Sequence, residues 1–169
     1  MRHNRSVVLR WLPLALLVAC DRKPDLPRER AAEVEAARDD VKSAQRDLAR
    51  ADTPAKAVGA SNELSAAGAD FQKKRDAAVQ AVQDTLGETD QDIRHLVATR
   101  GQVEFQDVEL ERKTDAAIKE LATARTDLER ELAAMRQATV DTWSGHEERV
   151  TLLTARIRDL RQRVRDLLY

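Results

Sequence analysis

Residues 144–169, SGHEERVTLLTARIRDLRQRVRDLLY, decide the fold. Val150, Leu153, Ile157, Leu160, Val164 and Leu167 recur at spacings of three and four, with charged residues between them. A helix turns once every 3.6 residues, so apolar side chains at that spacing fall on one face. Neither Gly nor Pro interrupts the stretch from His146 onward. Ser144-Gly145-His146-Glu147 matches the S-x-x-E pattern, in which the Ser hydroxyl and the Glu carboxylate each satisfy an orphan backbone donor. The pattern predicts a capped helix over 145–168 whose apolar seam pairs with another helix.

The same rule works upstream. Between Arg28 and Ala51 the apolar positions are Val34, Ala37, Val41, Ala44, Leu48 and Ala51, a heptad seam. Asp52-Thr53-Pro54 interrupts it, with Thr53 suited to cap a second helix and Pro54 to open it. A further seam runs Val79, Val82, Leu86, Thr89, Ile93 and Leu96. It continues through Arg100, Val103, Asp107, Leu110 and Thr114 to Ala117, Leu121, Ala124 and Leu128. Its register crosses Gly87 and Gly101, either of which can be the tip of a hairpin. Gly87 is followed by Thr89-x-x-Asp92, which resembles a capping box, whereas Gly101 divides the region evenly into 54–100 and 102–142. The reading adopted is a hairpin with its tip between 86 and 102, over a single unbroken helix.

Composition agrees. Of 169 residues, 42% are hydrophobic, 35% charged and 3% aromatic, with five Gly and four Pro. Sandwiches, barrels and doubly wound sheets need β-branched and aromatic runs set off by Gly-rich turns, and these are missing. The expected fold class is all-α: an elongated antiparallel helical hairpin or coiled-coil bundle of three to four helices. With short helices at 28–52 and 145–168, the simplest packing is a four-helix base and a two-helix projecting arm. Many seam positions are Ala, which bury little apolar area each, so partner helices, including those of a second copy, are expected. The arginines at 156, 158, 161, 163 and 165 read first as the solvated flank of the seam. Their aliphatic stems can lie along it, and they favour an acidic neighbour such as 28–52, so the first and last helices are expected side by side.

Residues 1–19, MRHNRSVVLRWLPLALLVA, differ in kind from the rest. Arg2, Arg5 and Arg10 precede a short apolar run broken only by Pro13, which is too short for a stable membrane-spanning helix of about 20 residues. A charged start, an apolar centre and a small residue before a cut site describe a secretory signal peptide. Residues 20–27, with Pro24 and Pro27, read as a tether between this segment and a helical domain over 28–169.

The run ends Leu17-Val18-Ala19-Cys20, which resembles the lipobox of bacterial lipoproteins. The resemblance covers this segment alone. It implies cleavage between Ala19 and Cys20, acylation of the Cys20 thiol, and membrane attachment through the acyl chains on the periplasmic side of a bacterial envelope. Asp21 resembles the inner-membrane retention signal of enteric lipoproteins. Cys20 is the only cysteine, so an intramolecular disulfide is impossible. Loss of three arginines with the leader takes the formal net charge from −1 to −4. A mature body of that charge offers no polybasic help at an anionic surface, which leaves the acyl chains to hold it.

Motifs of chemistry are missing. His95 and His146 are isolated and read as solvated helix residues, and Val150 stands where H-E-x-x-H needs its second His. The sequence holds neither a phosphate-binding glycine loop nor a G-x-S-x-G elbow. Acids on charged helices are ordinarily solvated faces with i,i+4 partners, as Glu109 with Lys113. The expectation is no enzyme, no cofactor and no metal; few aromatics and near-neutral charge also exclude nucleic acid. What remains is a structural, scaffolding or protein-interaction lipoprotein. An accessory subunit of an efflux or secretion assembly, or a periplasmic chaperone-like binding module, is the alternative. The small wall-linked lipoprotein of enteric bacteria also joins a lipobox to heptads, but attaches through a C-terminal Lys where this chain has Tyr169.

Overall fold

A computed structural model describes residues 25–169, so the leader, Ala19, Cys20 and Asp21 lie outside the described residues. Four helices follow in order: α1 (Leu26–Ala49), α2 (Pro54–Arg100), α3 (Val108–Gln137) and α4 (His146–Leu168). With no strand among the described residues, the fold is an all-α antiparallel bundle.

The helix ends follow local chemistry, with several departures from the expected positions. α1 begins at Leu26, because Pro27 occupies the first turn, where its missing N–H breaks no helical hydrogen bond. Residues 26 and 27 are therefore helix and not tether. α2 starts as predicted: Thr53 is extended, its hydroxyl accepts from the Lys56 N–H at 3.4 Å, and Pro54 opens the helix. Gly87 lies inside α2, and the chain turns only at 101–107. Asp107 is not a seam position but the N-cap of α3, accepting from the Glu109 N–H at 2.8 Å. The second arm is 108–137, shorter than 102–142, since 138–145 folds back to bury Trp143. Ser144 makes no cap bond either. Gly145, at φ 85, is the N-cap of α4, and the left-handed turn it supplies replaces the expected capping box.

Registers between helices show how the rod is built. α2 spans about 70 Å at 1.5 Å per residue. α1 lies antiparallel along its first half, so that Leu26 and Pro27 stand opposite Ala77, Gln80 and Ala81. α3 returns along the second half, with Arg100 bonded to Asp115, Arg125 to Asp90, Arg136 to Gln83 and Arg75 to the Ala138 carbonyl. α4 reverses once more along α3, pairing Arg149 with Glu131, Arg156 with Asp127 and Arg163 with Glu120.

α1 packs on α2 and α4, α3 packs on α2 and α4, and α1 does not reach α3. The middle of the rod is a four-helix section. Toward the turn at 101–107 it has three helices, α2, α3 and α4. Toward the turn at 50–53 only α1 and α2 continue, and the buried residues there shrink to Ala44 and Ala60. The two-helix arm thus projects at the α1–α2 end, not at the tip of the central hairpin. The reason is the register of α4, which doubles back over α3 toward that tip. The first and last helices do lie side by side, over the N-terminal half of each.

Candidate functional site

The sequence-predicted seam of α4 faces the chain's own core. Val150, Ile157, Leu160 and Val164 are buried, whereas Leu153 and Leu167 are only partly so, and Leu168 takes the last buried place. A straight helix drifts against a seven-residue repeat by about 20° per heptad, which moves the final contact one position onward. The facing surface is α3, where Leu121, Leu128, Leu132 and Met135 are as deeply buried as any seam residue of α4. The apolar weight of the bundle therefore lies between α3 and α4.

The arginines of α4 find acids on α2 and α3, not on α1 as expected. Arg161 donates to Thr89 Oγ1 at 2.8 Å, and its Nε stands 2.9 Å from Asp92 Oδ2, outside hydrogen-bond alignment. Thr89 is fully buried and donates in turn to the Thr85 carbonyl at 2.7 Å. Arg165 lies 3.9 Å from the same Asp92. A seam position occupied by Thr is thus the polar contact that ties α4 to α2. Its spacing was visible in the sequence, its partner was not.

The densest polar cluster was missed by sequence reasoning. His146, expected to be solvated, is 4% exposed and hydrogen-bonded through Nδ1 to Glu131 Oε1; Glu131 is 7% exposed. Arg149 Nε sits 3.0 and 2.9 Å from the two oxygens of Glu131, and its Nη2 3.0 Å from His146 Nδ1. Nδ1 cannot donate to the carboxylate and accept from the guanidinium at once. With the proton on Nδ1, the shared Glu131 carboxylate accepts from both His146 and Arg149. Trp143 covers the imidazole with ring centroids 5.0 Å apart, and meets Phe71 edge-on at 6.2 Å. His95, by contrast, is exposed, as its isolation predicts. The cluster joins α3 to α4 just where the chain reverses.

Elsewhere many titratable groups form exposed or half-buried pairs. Arg125 and Arg100 hold the carboxyls of Asp90 and Asp115 below their ordinary value of 3.8. Arg112 does the same for Glu109, and Asp70 raises the Lys74 ammonium. Glu109 and Lys113 do pair, at 3.7 Å. Among the described residues, no group of three or more His, Cys, Asp or Glu is arranged to hold a metal ion.

A groove of about 980 Å³ opens where α1 begins. It is the place a longer α1 would occupy between α2 and α4, with Ala77 and Ala81 on its floor and Arg158, Arg161, Arg165, Asp84 and Glu88 along its walls. Both charge signs are present, and it is wide and open. Near it Leu26 and Leu152 are 48% and 63% exposed. No helix among the described residues is long and apolar enough to cross a membrane. Compared with protein-family models, curated proteins and solved structures, the chain matches none.

Proposed function

We propose that this chain is a lipid-anchored lipoprotein of a bacterial envelope whose helical rod acts mechanically, as a spacer, scaffold or docking element, without catalysis. The observation that carries the reading is Leu17-Val18-Ala19-Cys20, closing an apolar run that begins after Arg10 and passing at once into a polar segment. Acylation of Cys20 would tie the rod to the periplasmic face of a membrane, and Asp21 favours the inner one. Multiple acyl chains give lasting attachment where a single chain is marginal. What supports the mechanical part is an antiparallel bundle of four helices bridged by Arg-carboxylate pairs. The exposed Val58, Val97 and Val108 leave both ends of the rod available to protein partners or a second copy.

Metabolic labelling with a fatty-acid probe tests the reading. The wild-type chain should be tagged and Cys20→Ser should not. Equal labelling of both would overturn the lipid anchor, and recovery of the labelled chain with outer membrane on a sucrose gradient would overturn the inner-membrane address.

A further inference from the structure

Resting on the acylation of Cys20, we infer that the rod lies along the membrane surface, with the flank formed by the start of α1 and the outer face of α4 turned toward lipid. Chain lengths set the limit. Cleaved before Cys20, the chain has five peptide steps between that residue and Asp25. At no more than about 3.6 Å per residue they span at most about 18 Å, whatever their conformation. Helix α1 does not start at an end of the rod. Leu26 and Pro27 stand opposite Ala77–Ala81 of α2, near the middle of the stretch from Pro54 to Arg100. At 1.5 Å per residue, about 33 Å of α2 extends beyond that point in one direction and about 36 Å in the other.

A rod standing on either end would place its attachment point more than 30 Å above the lipid, out of reach of an 18 Å tether. Standing would require driving about 15 Å of the lower end into the bilayer. Neither end can go there. One carries Gln102, Glu104, Gln106 and Asp107, the other Asp47, Arg50, Asp52 and Lys56, all exposed. Burying such groups in hydrocarbon without partners is prohibitive. The ratio of tether to half-length limits the tilt of the rod from the membrane plane to about 30°.

The side that faces the lipid follows from the packing order. α1 touches α2 and α4 but not α3, so α3 lies diagonally opposite and its outer face points away from the membrane. The near flank presents Leu26 and Leu152, each substantially exposed, with Arg28, Arg158 and Arg165 beside them. Such a mixture of leucines and long guanidinium side chains suits the headgroup region, where the aliphatic parts sink and the charges stay wet. Asp84, Glu88, Glu147 and Glu148 nearly balance the arginines along this side. The covalent tether and not bulk charge therefore sets the orientation, which should hold on neutral phosphatidylcholine as well as on anionic vesicles.

Because acylation consumes the only cysteine, a second one introduced by mutation is a unique free thiol for a fluorophore. Four full-length acylated variants, Arg158→Cys, Ala122→Cys, Gln102→Cys and Asp52→Cys, would be labelled and reconstituted into phosphatidylcholine vesicles bearing headgroup nitroxides. The near-flank label at 158 should be quenched several-fold more than the label at 122 on α3, and the two end labels should be quenched to similar, intermediate extents. Quenching of an end label with none at 158, or stronger quenching at 122 than at 158, would overturn the orientation while leaving the anchor intact. Absence of fatty-acid incorporation, with no flotation of the vesicle-mixed protein, would overturn the anchor and with it the orientation. Persistence of the pattern at high salt is expected, and its loss would show that charge and not the tether orients the rod.

Discussion

The Trp143 indole meets the Phe71 ring edge-on, with interplanar angle 90° and centroids 6.2 Å apart, across 72 positions of sequence. This contact fixes the turn after α3 against the first half of α2, at the border between the four-helix section and the two-helix arm. The indole is fully buried and its Nε1 has no hydrogen-bond partner. An orphaned buried donor costs about 1–3 kcal/mol, so the ring's stabilisation comes from its apolar area. Trp143→Ala should lower unfolding free energy by about 3–5 kcal/mol. Trp143→Phe should cost much less, since it removes the orphan N–H along with part of the ring. Urea titration of both variants measures the difference; equal losses would show that the N–H is satisfied in solution.

Glu131 is the member of the buried cluster on which the others depend. Glu131→Ala leaves the buried His146 Nδ1 without its acceptor, and an unsatisfied buried polar group typically costs about 1–3 kcal/mol. Arg149 is half exposed, so Arg149→Ala should cost about 1 kcal/mol or less. Denaturant unfolding of the two single variants and the double variant would expose the coupling. Additive losses would mean that the groups act independently.

Backbone conformation separates Gly145 from Gly87. Gly145 is left-handed, and a Cβ there would stand 3.0 Å from Arg149 Nη1. Gly145→Ala should destabilise by about 1–2 kcal/mol. Ser144→Ala should do little, because Ser144 makes no cap bond. Gly87 is helical and exposed, with open space around its Cα, so Gly87→Ala should stabilise by about 0.5–1 kcal/mol. Thermal melts rank the three, and a Ser144 loss exceeding that of Gly145 would restore the capping box.

Acid should loosen the contact between α2 and α3 first. Arg125 and Arg100 depress the carboxyls of Asp90 and Asp115 in the folded chain. A group whose folded pKa is depressed stabilises the fold above its unfolded value, near 3.9, and that stabilisation disappears as pH falls through the folded value. Melting temperature should therefore be flat from neutral pH down to about 4 and fall below it. Both pairs are partly exposed, so the effect is small and salt-sensitive. In Asp90→Asn/Asp115→Asn the acid-dependent part should shrink; an unchanged profile would assign it elsewhere.

The α4 seam should outweigh the Ala-rich seam of α1. Ile157→Ala and Leu160→Ala each remove a buried aliphatic chain and should cost about 2–5 kcal/mol, while Ala44→Gly should cost about 1 kcal/mol. Val41→Ala is expected to fall between them. Melting of the four variants decides the order. A milder effect at 157 and 160 would mean that their packing relaxes around the loss.

Local chemistry was legible in the sequence. The seams of α1 and α4, the start of α2 at Thr53-Pro54 and the all-α class follow from spacings of three and four and from the geometry of proline, which involve residues within one or two turns of each other. The hairpin tip was legible only as a choice, because both Gly87 and Gly101 can end a helix and only packing of a continuous α2 against α1 and α3 selects the second. Nothing local showed that Ser144 would yield its place to Gly145, that His146 would be buried on Glu131, or that Arg161 would reach Thr89. Those outcomes depend on which helix lies beside which, and one apolar stripe fits another almost equally well. The tertiary structure resolves the degeneracy through register. Each turn brings a particular pair of helices together in antiparallel order, and the polar residues flanking the seams then meet partners dozens of positions away. The sequence alone determined that this chain would be a rod of helices; register determined where α1 begins along it, because that point is set by the length of α2 beyond the end of its partner.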